Sequence, residues 1–220
     1  MQDLQALEIF EIETLNVLNQ NRLLDQLYFG GGTMLRLCHN LNRYSTDMDF
    51  WIKPESDCNT LFNKIKKVFS GTAVIKDAAM KRDTLLFEIK SSKSKRSLKI
   101  EIRKDQSDFH WERKIAFSKF ANMQIAVKGL TLKQMMRNKV SAFLSRKIIR
   151  DCFDIEFLLF RGIPLSASRE ETLKMLEIIE GFTPKDFKVT LGALLDAEDR
   201  QFYSENQFQF LKEELAKYPS

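Results

Sequence analysis

YFGGGTMLRLCHNLNRYSTDMDFWIK, residues 28–53, reads as a short strand, a glycine turn, a helix, a loop and a second strand carrying Asp47 and Asp49. Gly30, Gly31 and Gly32 let the backbone turn with positive φ and approach a ligand that a Cβ would hold off. Thr33 then opens a helix, whose first N–H groups have no intrahelical acceptor and favour a phosphate. Asp47 and Asp49 alternate along a strand, so both carboxylates leave the same face. Paired hard oxygen donors suit a divalent cation, Mg²⁺ or Mn²⁺. Taken singly, a glycine triplet is an ordinary turn and an acid pair an ordinary solvated strand. In this order they form a pattern for holding a nucleoside triphosphate beside a metal site.

The same residues carry a family resemblance. Gly31-Gly32-Thr33 followed by Leu35, then Arg43-x-Ser45-x-Asp47-x-Asp49-Phe50, resembles the signature of the AbiEii/AbiGii-type nucleotidyltransferase toxins of type IV toxin–antitoxin systems. That family uses the DNA polymerase β-like nucleotidyltransferase fold. Further on, Asn138-Lys139-Val140-x-Ala142-Phe143-Leu144 and Arg150-Asp151-x-x-Asp154-Ile155 resemble later motifs of the family, in which a lysine and an aspartate contribute to the active site.

Composition is compatible with this. The chain has 220 residues, 44% of them hydrophobic and 30% charged, with a net charge of +5, ordinary for a soluble globular protein. No apolar run approaches the ~18 residues a membrane helix needs. The acidic start MQDLQALEIFEIETLNVL is no secretory signal, so a cytoplasmic location is expected. Cys38, Cys58 and Cys152 are odd in number and widely spaced, which suits reduced thiols rather than a disulfide or zinc set. Residues 90–104 hold seven basic residues against one acid. Two readings stand: a solvated hairpin whose lysines discourage edge pairing, or a surface that tracks RNA phosphates.

Hydrophobic spacing predicts an amphipathic helix over 3–20, a strand over 27–29 and a helix from Ser56 closed by Gly71. Strands are expected over 73–78, 84–90, 98–103 and 123–127, with a loop at 91–97. Helices follow over 131–146, 149–161, 169–179, 185–195 and 205–217. Strands first and helices later give an α+β chain: a mixed-sheet nucleotidyltransferase lobe at 1–128 with its N-terminal helix, then a helical lobe at 129–220 that completes the active-site cleft.

A two-metal phosphoryl-transfer site ordinarily has a third carboxylate. Glu101 is the candidate: in LKIEIRK it alternates with Leu98, Ile100 and Ile102. A surface salt bridge to a neighbouring lysine is the competing reading. Lys139 falls on the same helical stripe as Met135, Met136, Val140 and Phe143, as does Arg146. Cations there must either meet anions or snorkel to water. Asp151 and Asp154 lie in a mostly apolar helix and need partners, for which Lys139, Arg146 and Lys147 are at hand. Those acids either take part in catalysis or orient the lysine. Arg43 and Ser45 precede the acids, with triphosphate contact and loop fixing as their two roles. No Walker or nucleophile-elbow motif occurs, and neither His39 nor His110 sits in a catalytic motif.

The expected activity is metal-dependent transfer of a nucleoside monophosphate from an NTP to an acceptor hydroxyl. Asp47, Asp49 and Glu101 would hold metal. Gly31, Gly32, Thr33, Arg43, Ser45 and Lys139 would bind nucleotide, and Lys139 and Asp151 would add to catalysis. The resemblance implies a toxin with a cognate antitoxin and the 3′ end of a tRNA as acceptor. Two other readings are a nucleotidyltransferase modifying a small molecule and a non-catalytic nucleotide- or partner-binding module.

Overall fold

The computed structural model describes residues 2–107 and 109–217. In chain order it has helix α1 (Gln2–Gln20), β1 (Leu27–Gly30), α2 (Gly31–His39), β2 (Asp47–Ile52), α3 (Cys58–Ser70), β3 (Val74–Met80), β4 (Thr84–Lys90), β5 (Leu98–Arg103), β6 (Trp111–Phe117) and β7 (Gln124–Leu130). The helices α4 (Leu132–Arg146), α5 (Ile149–Phe160), α6 (Arg169–Glu180), α7 (Ala197–Asn206) and α8 (Gln209–Ala216) follow. This is an α+β chain with two compact units, Met1–Asn40 with Tyr44–Leu130, and Leu41–Arg43 with Thr131–Ser220.

The first unit is built on a mixed sheet ordered β3-β4-β5-β2-β1-β7-β6. β2 runs antiparallel to β1 and parallel to β5, with Asp49 opposite both Gly30 and Glu101. Alternation then sorts the side chains. Met48, Phe50 and Ile52 are fully buried, and Ile100 and Ile102 beside them nearly so. On this face Phe62 and Phe69 of α3 pack against Phe87, and Met34 of α2 lies near Gly129. The helices therefore line one face of the sheet. Asp47, Asp49 and Trp51 of β2, with Lys99, Glu101 and Arg103 of β5, project from the other.

The second unit packs α4 against α5 and adds the later helices around their apolar sides. Thr131 caps α4, accepting from the Gln134 N–H at 3.2 Å, and Ser168 with Glu171 forms a capping box on α6. Phe143, Phe153, Phe187 and Phe208 are buried in its core.

Several elements differ from the sequence expectation. β6 is a strand where none is expected, because the run Glu112-Arg113-Lys114 masks the alternation of an edge strand that buries only Ala116 completely. The helix expected over 185–195 is a π-helical turn, Asp186–Leu191, followed by a 3₁₀ turn, Gly192–Leu194. The helix expected over 205–217 is interrupted at Gln207 and Phe208, which have φ of 48° and 59°. Gly71 ends α3 at φ −91°, without the left-handed turn expected of it.

Candidate active site

The glycine turn and the acid pair meet directly in the first unit. Gly31 has φ +73°, and a Cβ placed on it would lie 2.1 Å from Asp49 Oδ2. Only glycine combines that backbone with that approach. Gly30 is extended at φ −146°, and its missing Cβ makes room for the Trp51 ring, which it would otherwise meet at 2.4 Å. α2 therefore starts at Gly31, two residues before the expected start at Thr33. Its first residue lies against the Asp49 carboxylate. Gly32 is buried in this first turn.

Thr33 is fully buried, and its Oγ1 donates to the Asp47 carbonyl at 2.6 Å. Its hydroxyl thus ties the helix start to the acid-bearing strand rather than facing a phosphate. Ser45 is buried in the approach to β2.

Register places Glu101 beside Asp49 and Lys99 beside Asp47 on the parallel neighbour β5. Glu101 therefore lies on the strand next to β2 and on the same face as Asp47 and Asp49. Its side chain is engaged by Lys99, the neighbour that a surface reading of Glu101 would name. Among the described residues no three His, Cys, Asp or Glu side chains gather into a metal cluster. The donor set still suits a divalent cation. The Lys99 ammonium is raised by its hydrogen bond to Glu101, and, against partial desolvation, by the charges of Glu101, Asp47 and Asp49. All three acids thus act on one cationic group. Asp47 and Asp49 supply hard oxygens, and the gap left by Gly31 adjoins one of them.

The second unit holds a buried charge network. Arg43 grips Asp154 with two bonds, Nε to Oδ1 at 2.6 Å and a terminal nitrogen to Oδ2 at 2.7 Å. Lys139 Nζ lies 2.6 Å from Asp154 and 3.4 Å from Asp151. Arg146 reaches both oxygens of Asp151 at 2.8 Å. Arg43, Lys139, Asp151 and Asp154 are all buried. Burial pushes the Asp154 carboxyl upward, but the Arg43 and Lys139 charges outweigh it and hold the group below its ordinary value.

This network explains why cations occupy the apolar stripe of α4: their anions come from α5. For Arg43 the geometry supports loop fixing over triphosphate contact, since its fork is committed to Asp154. Asp154 is the residue that sequence reasoning undervalued. Its signal was present, an acid three residues after Asp151 in an apolar helix, but only folding brings residue 43 to it. The basic hairpin is also partly spoken for: Lys93 pairs with Glu13 at 3.0 Å and Lys95 with Asp3 at 3.8 Å, both acids of α1.

Residues 14–217 match the family model described as nucleotidyl transferase AbiEii toxin, type IV toxin–antitoxin system. Comparison with curated proteins gives no match. Among solved structures, JHP933 from Helicobacter pylori is 19% identical with a TM-score of 0.56, covering 97% of this chain and 94% of its own. A Helicobacter pylori protein named as a candidate nucleotidyltransferase is 20% identical with a TM-score of 0.56, covering 96% and 98%. At that identity the two structures speak for the fold.

Two outcomes follow from the geometry. Gly31→Ala should weaken labelled-NTP binding sharply, because the methyl displaces Asp49 and the left-handed backbone costs roughly 1–2 kcal/mol more. Wild-type binding by this variant would remove Asp49 from the nucleotide site. Asp154→Asn leaves two buried cations short of an anion and should cost about 3–5 kcal/mol in urea unfolding. Because the folded carboxyl titrates below its unfolded value of about 3.9, its contribution is complete above that pH and fades as pH falls through the folded value. The gap between wild type and variant should therefore hold at neutral pH and narrow below about pH 4.

Proposed function

Because this chain belongs to the AbiEii nucleotidyl transferase toxin family, we propose that it transfers a nucleoside monophosphate from an NTP to a hydroxyl of RNA, with the 3′ end of a tRNA as acceptor. The enzyme class and the toxin family follow from the match itself, and the family implies a cognate antitoxin. Nucleotidyltransferases of this kind generally use divalent metal ions. The observation that supports the proposal is the contact of the Gly31 turn with Asp49, which sets the start of α2 against a strand carboxylate.

Asp47, Asp49 and Glu101 would hold Mg²⁺ or Mn²⁺. Bound there, such a cation neutralises phosphate charge and acidifies an attacking hydroxyl. The N–H groups at the start of α2, which have no intrahelical acceptor, receive the phosphates. The acceptor oxygen bonds to the α-phosphorus while the bond to the β-phosphate breaks, releasing pyrophosphate and the hydroxyl proton. Thr33 keeps Asp47 in register with the turn throughout. In the helical unit, Lys139 and Asp151 would contribute to catalysis, and Arg43, Arg146 and Asp154 fix their positions.

Asp49→Asn replaces a charged ligand with a neutral near-isostere and should abolish transfer while the fold survives. Purified protein, each labelled NTP, Mg²⁺ and total cellular RNA provide the assay, with label on RNA of tRNA size as the expected product. Transfer by Asp49→Asn at the wild-type rate would sink the two-carboxylate site. Label on a small hydroxyl compound alone would replace the RNA acceptor, and no transfer to any acceptor would leave a binding module. Lys139→Met keeps the stripe apolar; turnover should fall at temperatures where circular dichroism shows it folded. Unchanged kinetics would make Lys139 structural.

A further inference from the structure

The face of the sheet that carries Asp47 and Asp49 continues past the carboxylates to an edge. Register leads from β2 through β1 and β7 to β6, where Trp111, Arg113, Ile115 and Phe117 alternate on that same face. Trp111 stands opposite Leu130, Phe29 is level with Gly129, and Gly30 is opposite Asp49. Trp111 therefore shares a cross-strand row with Asp49, three strand spacings or roughly 14 Å away.

The row is open. Trp111, Ile115 and Phe117 are 44%, 48% and 45% exposed, a run of large apolar side chains of the kind that marks a binding surface. Tyr28 stacks beneath the row, its ring 5.9 Å from that of Trp111. Lys128 of β7 lies 5.8 Å from the Trp111 ring. On this face of β6 and β7 the charged residues are Arg113 and Lys128, both positive, among Gln124, Ala126 and Leu130. Glu112 and Lys114 alternate to the helix-covered face.

Exposed rings interleaved with cations, and without acids, match the needs of an unpaired polynucleotide. Bases stack on the rings and phosphates meet the cations, whatever the sequence. A peptide strand added to β6 would instead use the backbone edge and gain nothing from a face of one charge sign. We infer that the β6–β7 face docks a single-stranded segment of the acceptor RNA and leads it toward the Asp49 row. The inference deepens the proposed function and rests on its RNA acceptor.

The test measures binding without NTP, so that it does not depend on turnover. Full-length protein is titrated against fluorescent tRNA and a fluorescent single-stranded RNA across a salt series, with labelled-NTP binding and thermal midpoint as controls. Trp111→Ala and Phe117→Ala should each weaken RNA binding roughly 5- to 150-fold. Trp111→Phe, which keeps a stacking ring, should restore most of it. Arg113→Gln should lower the slope of log affinity against log salt by about 0.7, the loss of one phosphate contact on a single strand. NTP binding should not change in any of them.

RNA affinity unchanged in the Trp111→Ala, Phe117→Ala double variant overturns the inference, whether or not label transfer to RNA is seen. So does a polypeptide partner that needs these rings while RNA binding does not. RNA bound through the rings without label transfer supports the surface and removes only the proposed reaction.

Discussion

One contact organises the first unit: the Asp49 carboxylate lies where a Cβ on Gly31 would be. It couples three requirements. The chain must turn with positive φ as β1 ends, α2 must begin at once, and β2 must pair so that Gly30 faces Asp49. Slipping β2 by one residue would turn Asp47 and Asp49 into the helix-covered core and bring Met48 and Phe50 to the open face. Burial of Met48, Phe50 and Ile52 thus fixes the register, and the register fixes the acids. The Thr33 bond to the Asp47 carbonyl closes the arrangement from the other side.

A different principle holds the second unit's charged residues. Arg43, Lys139 and Asp154 are almost completely removed from water. Such a network adds little net stability compared with apolar packing, but losing one member is costly because the others stay buried and charged. Its effect is positional. Arg43 comes from the short segment between α2 and β2, so its grip on Asp154 ties that segment to α5. Arg146 holds Asp151 from the end of α4. Two acids and a lysine are thereby kept in fixed relation to one another.

The sheet divides its labour by face. Helices cover one side and remove it from water, and the other carries Asp47, Asp49 and Glu101 together with a row of exposed large apolar side chains on β6. Pleating alone accounts for this separation, since adjacent residues of a strand must point oppositely.

Much of this was legible in the chain. The glycine turn, the spacing of Asp47 and Asp49, and the alternation around Glu101 are local patterns, and local patterns survive into the fold because neighbouring residues share one strand or one turn. The β4 and β5 boundaries followed for the same reason. Tertiary structure decided the rest. β6 was hidden because an edge strand buries too little to show an apolar alternation, and the last expected helix broke at Gln207 and Phe208, left-handed residues that carry no glycine signal. The partners of Lys139 and Arg43 lie 15 and 111 residues from them along the chain at Asp154, a pairing no spacing rule encodes. Sequence fixed which groups had to find a counter-charge, because buried charge is costly; only the packing of α4, α5 and the residues around Arg43 decided which counter-charge each one found.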